Sequence, residues 1–335
     1  MDAPPQVDNR PEFKRVNFVT NGSVKLIQVQ ILRQTFNLLL STETNKLILF
    51  EDPYHRTPKS EKDAPSRPFL KTGGMHYLRT EIDDNNISMR VYSAPIAFPN
   101  SSFQIPQAEI YITEYEPSNP LHIHDGFFGI ADVKFESVLH RLLERSKIFS
   151  FQNSISKNEL AIGGYWPIKE LPDKRSCNFP MVSRNPFSFK FSKVILHESS
   201  GCTKEFHNGV VILEPSNAFI EIPVAYFVQN LYLLEFVGED ENSQFLVPLK
   251  RYHDPIKPLN LSYSRHNYRP NKKNQWVLSD KWTDLFYDRV HDLAKNEITY
   301  HEWRPVEYDK FTPAESYKHG DCSYRKIFSQ KMNNQ

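Results

Sequence analysis

The sequence predicts an all-β protein built as two similar β lobes with a few short helices. Segments rich in β-branched and aromatic residues recur along most of the chain, the composition of pleated, half-buried strands. Helical spacing of apolar residues is rare. A short element of apolar strand, polar turn and second apolar strand occurs twice, once around Ser41 and once around His207, about half a chain apart.

The strands fall at residues 23–32, 36–40, 46–50, 87–98 and 108–115 in the first half, and at 187–196, 219–224 and 244–249 in the second. One helix is expected over residues 135–145, where Val138, Leu139, Leu142 and Leu143 share a face. Short helical turns are expected near Ala225 and over residues 282–286. Residues 52–74 are polar and rich in Pro, Lys and Ser, and so read as a surface loop. Residues 167–186 form a Pro-containing connection between the halves. This divides the chain into an N-terminal lobe over residues 1–165, a C-terminal lobe over 166–302 and a polar tail over 303–335.

With 335 residues, 39% of them hydrophobic and 13% aromatic, the chain can bury a large core. A formal net charge of +1 gives no global field to draw nucleic acid or an anionic membrane. The basic run at residues 265–273 reads as a solvated loop. No apolar run approaches the roughly 18 residues that span a bilayer. The N-terminus is polar and does not resemble a signal peptide. Three cysteines, Cys177, Cys202 and Cys322, are an odd set without metal spacing. Free thiols in a cytoplasmic or nuclear setting are the expectation. Sequons at Asn21, Asn86, Asn100 and Asn260 fit chance in a chain rich in Asn and Ser. No cofactor motif and no metal cluster is seen. His122 and His124 would share one face of a strand, yet no further ligand stands near them in sequence.

The two repeated elements are Leu40-Ser41-Thr42-Glu43-Thr44-Asn45-Lys46-Leu47 and Phe206-His207-Asn208-Gly209-Val210-Val211-Ile212-Leu213. Both resemble the D-T-G turn that pepsin-like aspartic proteases carry once per lobe. Further stretches resemble that family in order and at its spacing: Asp125-Gly126-Phe127-Phe128-Gly129, Ile148-Phe149-Ser150-Phe151, Glu159-Leu160-Ala161-Ile162-Gly163-Gly164, Trp276-Val277-Leu278-Ser279-Asp280, and Val290-His291-Asp292-Leu293. The resemblance spans about residues 17–302 and implies the bilobal pepsin-like fold. It also implies that Ser41 and His207 stand where each lobe of the family supplies an Asp, with Thr42, Glu43, Asn208 and Gly209 flanking them. The family's flap hairpin would fall near Glu81, Asp83 and Asp84, here without the usual Tyr and Gly.

Aspartic proteolysis needs two carboxyl groups close enough to share one proton, a case the general account of split carboxylate pKa values itself takes from this protease family. A Ser and a His supply neither. The expectation is therefore a catalytically inactive member whose work is binding, a scaffold or adaptor for a protein or extended peptide segment. Direct nucleic-acid binding and membrane insertion are not expected, and the sequence does not set the oligomeric state. Two alternatives stand beside it. One is a hydrolase rebuilt on Ser41 as nucleophile and His207 as base. The other is an inhibitor or carbohydrate-binding member of the fold. Glu43 could also act as a displaced carboxylate, with Glu205 and Glu214 the acids nearest His207 in sequence.

Overall fold

The computed structural model describes residues 14–302, except 22–23, 52–71, 84–85, 100, 102–103, 115–123, 132–140, 142, 144–145, 154–157, 165–175, 199–200, 218, 229, 241–243, 250–267 and 285. Nearly everything described is strand. The helical expectation over residues 135–145 lies outside the described residues except at Arg141 and Leu143, both helical. A 3-10 turn forms at Val224–Tyr226 as expected, and the α-helical turn α1 at Asp280–Thr283 starts two residues ahead of the expected 282–286.

The first lobe holds β1 (Lys14–Asn21), β2 (Val24–Ile31), β3 (Gln34–Ser41), β4 (Leu47–Glu51), β5 (His76–Ile82), β6 (Ser88–Ala97), β7 (Gln104–Glu114), β8 (Gly126–Gly129), β9 (Ile148–Asn153) and β10 (Asn158–Ile162). The second holds β11 (Ser176–Arg184), β12 (Phe187–Glu198), β13 (Thr203–Leu213), β14 (Ile220–Pro223), β15 (Leu231–Val237), β16 (Gln244–Pro248), β17 (Tyr268–Asn271), β18 (Trp276–Leu278), β19 (Tyr287–Asp292) and β20 (Glu297–Glu302).

The two lobes repeat one wiring. In the first, β3 runs parallel to β8, while β4 pairs parallel with β7 and antiparallel with β8. In the second, β13 runs parallel to β18, while β14 pairs parallel with β17 and antiparallel with β18. A six-stranded antiparallel sheet underlies both lobes, in the order β1-β10-β9-β19-β20-β11. Its local pseudo-symmetry lies between β9 and β19, where Phe149 stands opposite His291 and Phe151 opposite Arg289.

Fully buried Phe149, Phe151, Phe179, Phe187, Phe189, Phe236 and Phe245 fill the core between these sheets, which is where the high aromatic content is spent. The same core carries buried charge. Arg289 makes a two-pronged bond to Asp280, one prong at 3.0 Å, and its guanidinium carbon lies 4.5 Å from the Phe151 ring centre. Lys25, from the first lobe, reaches Asp280 at 3.6 Å and also pairs with Asp284. These ions tie the two lobes together beneath the central sheet. Burial pushes Asp284 up to about 7, against the pull of Lys25.

One expectation fails. Cys202 is disulfide-bonded, so it is not a free thiol. Cys177 is a buried thiol whose S–H donates to the Gln244 carbonyl at 2.7 Å. Cys322 lies outside the described residues.

Candidate functional site

Ser41 ends β3, and the loop after it folds back onto the Gly126–Gly129 strand. Ile130 N–H donates to the Ser41 carbonyl at 2.9 Å, and Gly129 N–H to the Lys46 carbonyl at 3.0 Å. Gly129 is required by this approach: a Cβ there would sit 2.4 Å from the Thr44 carbonyl oxygen. Ser41 is buried, and its hydroxyl accepts from Glu43 N–H at 3.1 Å. Glu43 itself is exposed.

The structure brings a different residue to Ser41's counterpart position from the one expected. Ser41 stands opposite Gly129 across the parallel β3–β8 pair. In the second lobe the matching parallel pair sets Leu213 opposite Leu278. One step on, Glu214 corresponds to Ser41 as Ser279 corresponds to Gly129. The Thr42 hydroxyl confirms the pairing across the lobes. It donates to the Leu213 carbonyl and lies 2.9 Å from Glu214 Oε2.

His207 is corrected accordingly. It is exposed, opposite Lys193 in the middle of β13, six positions before Leu213, about 20 Å at the usual strand rise. Ser41 and His207 therefore do not form a nucleophile–base pair. Asn208 and Gly209 do not form a turn either; they lie within β13. Asn208 takes a left-handed conformation (φ 55°), and Gly209 leaves room for the Phe191 ring, which a Cβ would meet at 2.3 Å. The apolar run Val210 to Leu213 leading into Glu214-Pro215 was the signal for the true position.

Glu214 is 5% exposed. Its Oε1 accepts from Ser216 N–H at 3.1 Å and from the Ser216 hydroxyl. Burial pushes its carboxyl up, and the negative charge of Glu43 adds to that, while the Ser216 bonds pull the other way. The Thr42 hydroxyl has a single proton, shared between the Leu213 carbonyl and Glu214 Oε2, the latter 2.9 Å away. Pseudo-symmetry would place a second hydroxyl opposite Thr42, but that residue is Pro215, so the lock is one-sided.

Where the flap was expected, β5 and β6 pair antiparallel as a hairpin. Asp83 N–H donates to the Ile87 carbonyl at 3.1 Å, and the Asp83 carboxylate accepts from Ile87 N–H at 2.8 Å. Asp83 thus serves its own turn, as Asp does in place of a Gly turn. Glu81 is ion-paired with Lys46 at 3.1 Å and Arg79 at 2.7 Å. Arg79 also grips Glu109 through two bonds, at 3.1 and 2.9 Å. Arg79 and Lys46 hold Glu81 below the ordinary carboxylate range despite the opposing cost of burial. These side chains line a cavity of about 190 Å³ with Asn45, Leu47 and Tyr111. Asp84 lies outside the described residues, as does His122. His124 is buried, with Nδ1 3.1 Å from the Gly126 carbonyl oxygen. Among the described residues no group of three His, Cys, Asp or Glu is placed to hold a metal ion, and no helix is long and apolar enough to cross a membrane.

No family model matches the sequence. No curated protein matches it either. The fold does have relatives among solved structures. The aspartic proteinase from Irpex lacteus superposes with a TM-score of 0.62 over 87% of this chain and 97% of that one, at 10% sequence identity. The architecture of this chain is that of the pepsin-like aspartic proteinases.

Proposed function

We propose that this chain is a non-catalytic protein of the aspartic-protease fold that binds an extended protein segment between its lobes. The observation that carries this is the pairing of Ser41 with Glu214 through Thr42. Read against the family's D-T-G turns, it leaves one carboxyl where the chemistry needs two. That carboxyl is buried and occupied by Ser216 and Thr42, so it is poorly placed to activate water. The groove of the fold does not depend on those carboxyls. An extended segment there would be held by backbone pairing and side-chain pockets.

A peptide library screened against the purified chain, with bound peptides read by mass spectrometry, tests this. Intact peptides should be recovered, and binding should fall in Glu43→Trp, which places bulk on the exposed loop beside Glu214. Cut peptides, or binding indifferent to Glu43→Trp, would contradict the proposal. A second reading rests on the reach of the Glu43 charge to Glu214: the two carboxyls would form an offset acid–base pair. In that case cleavage would appear and be lost in Glu43→Gln. As to compartment, the disulfide at Cys202 supports an oxidising setting over the cytoplasm or nucleus.

A further inference from the structure

Among the described residues β5 pairs with β6 alone, so its outer edge carries no neighbouring strand. The Asp83 N–H bond to Ile87 sets the alternation along it. Asp83, Glu81 and Arg79 turn their backbone groups toward β6, and Ile82 and Thr80 turn theirs outward. The strand bulges at Leu78, between Tyr77 and Arg79. Ile82 is 70% exposed and Leu78 38%. Apart from that bulge, the outward positions Thr80 and Ile82 carry neither Lys nor Pro to protect the edge.

We propose that this edge docks a second copy of the chain, β5 against β5 antiparallel, about a twofold axis at Thr80. The sequence Leu78-Arg79-Thr80-Glu81-Ile82 is self-complementary about its centre. In that register Thr80 meets the partner's Thr80, Ile82 meets the partner's Leu78 and Arg79 meets the partner's Glu81. Both exposed aliphatic residues are covered twice over, and opposite charges face each other, the favourable arrangement for cross-strand pairs. The same patch serves both copies, so the contact closes as a dimer. The internal pairs Lys46–Glu81 and Arg79–Glu109 leave no uncompensated charge to repel the second copy. This inference goes beyond the groove-binding proposal and does not depend on it.

Sedimentation of the full chain over a concentration series should show a monomer–dimer equilibrium. Ile82→Lys sets a charge against the partner's Leu78 in both symmetric pairs and should weaken it about tenfold or more. Thermal melting of that variant should match the unmodified chain, since the position is exposed. Thr80→Cys should cross-link to a covalent dimer under mild oxidation, because that residue meets its own copy on the axis, while Val182→Cys, exposed elsewhere, should not. A chain monomeric at every concentration would overturn the proposal. So would a dimer that ignores Ile82→Lys and gives no cross-link at position 80.

Discussion

At the scale of single residues, the upward shift of the Glu214 carboxyl makes a signed prediction. Burial raises its carboxyl above the ordinary value, so the stability it contributes is complete in acid and is lost as pH rises through its folded-state value. Glu214→Gln keeps the shape, lets an amide N–H donate to Thr42 and cannot ionise. It should therefore be more stable than the unmodified chain at neutral pH, by about 1 kcal/mol, with the gap closing in acid; melting curves at the two pH values check this. Thr42→Val removes the hydroxyl that bonds both the Leu213 carbonyl and Glu214. It should cost about 1–3 kcal/mol, the usual penalty of stranded buried groups, and Thr42→Ser should recover most of it in denaturant titrations. Ser41 was legible because its strand, turn and following Lys46-Leu47 keep the family frame. Glu214 was not, because the turn Gly has no counterpart after it and a Gly lies upstream for a packing reason, the Phe191 ring.

At the scale of elements, the central sheet shows how far pattern reading reaches. The strands Ile148–Asn153 and Tyr287–Asp292 were legible only as stretches resembling family motifs, not from their own apolar spacing. Their charge was not. Trp276-Val277-Leu278-Ser279-Asp280 reads as a strand ending in an acid, yet only the fold shows Asp280 buried against Arg289 and Lys25. Asp280→Ala leaves two buried cations short of their partner, and a loss of about 3–5 kcal/mol is expected by chemical denaturation. The flap was legible as a hairpin because Asp and Asn tolerate tight turns. Its acidity did not translate into a free negative surface at Glu81 or Asp83, since long-range pairing with Lys46 and Arg79 and a local turn bond engage both.

For the whole molecule, His291 sets a response to acid. It is fully buried, stacked at 4.4 Å on Phe149 and edge-on to Phe187 and Phe151, and neither ring nitrogen has a hydrogen-bond partner among the described residues. Burial, then the nearby Arg289 charge, hold it well below the ordinary histidine value. The folded chain keeps it neutral, while the unfolded chain takes a proton below about pH 6.5. Its contribution to stability is therefore intact above that pH and falls as pH drops. Asp284, pushed up to about 7, works in the opposite sense and favours the fold at lower pH. His291→Phe isolates the first effect: the variant should hold its melting temperature from pH 7 to 5 better than the unmodified chain. The cysteines give a second global check. Native alkylation should leave Cys202 unlabelled until a reductant is added, and Cys177 unlabelled until the chain unfolds.

The proposal that this chain is non-catalytic, with Ser41 and a buried Glu214 at the paired positions, is tested most directly by cleavage of a denatured protein substrate by the purified chain from acid to neutral pH, side by side with Glu214→Gln. The account predicts no cleavage by either. Cleavage by the unmodified chain that disappears in Glu214→Gln would contradict it.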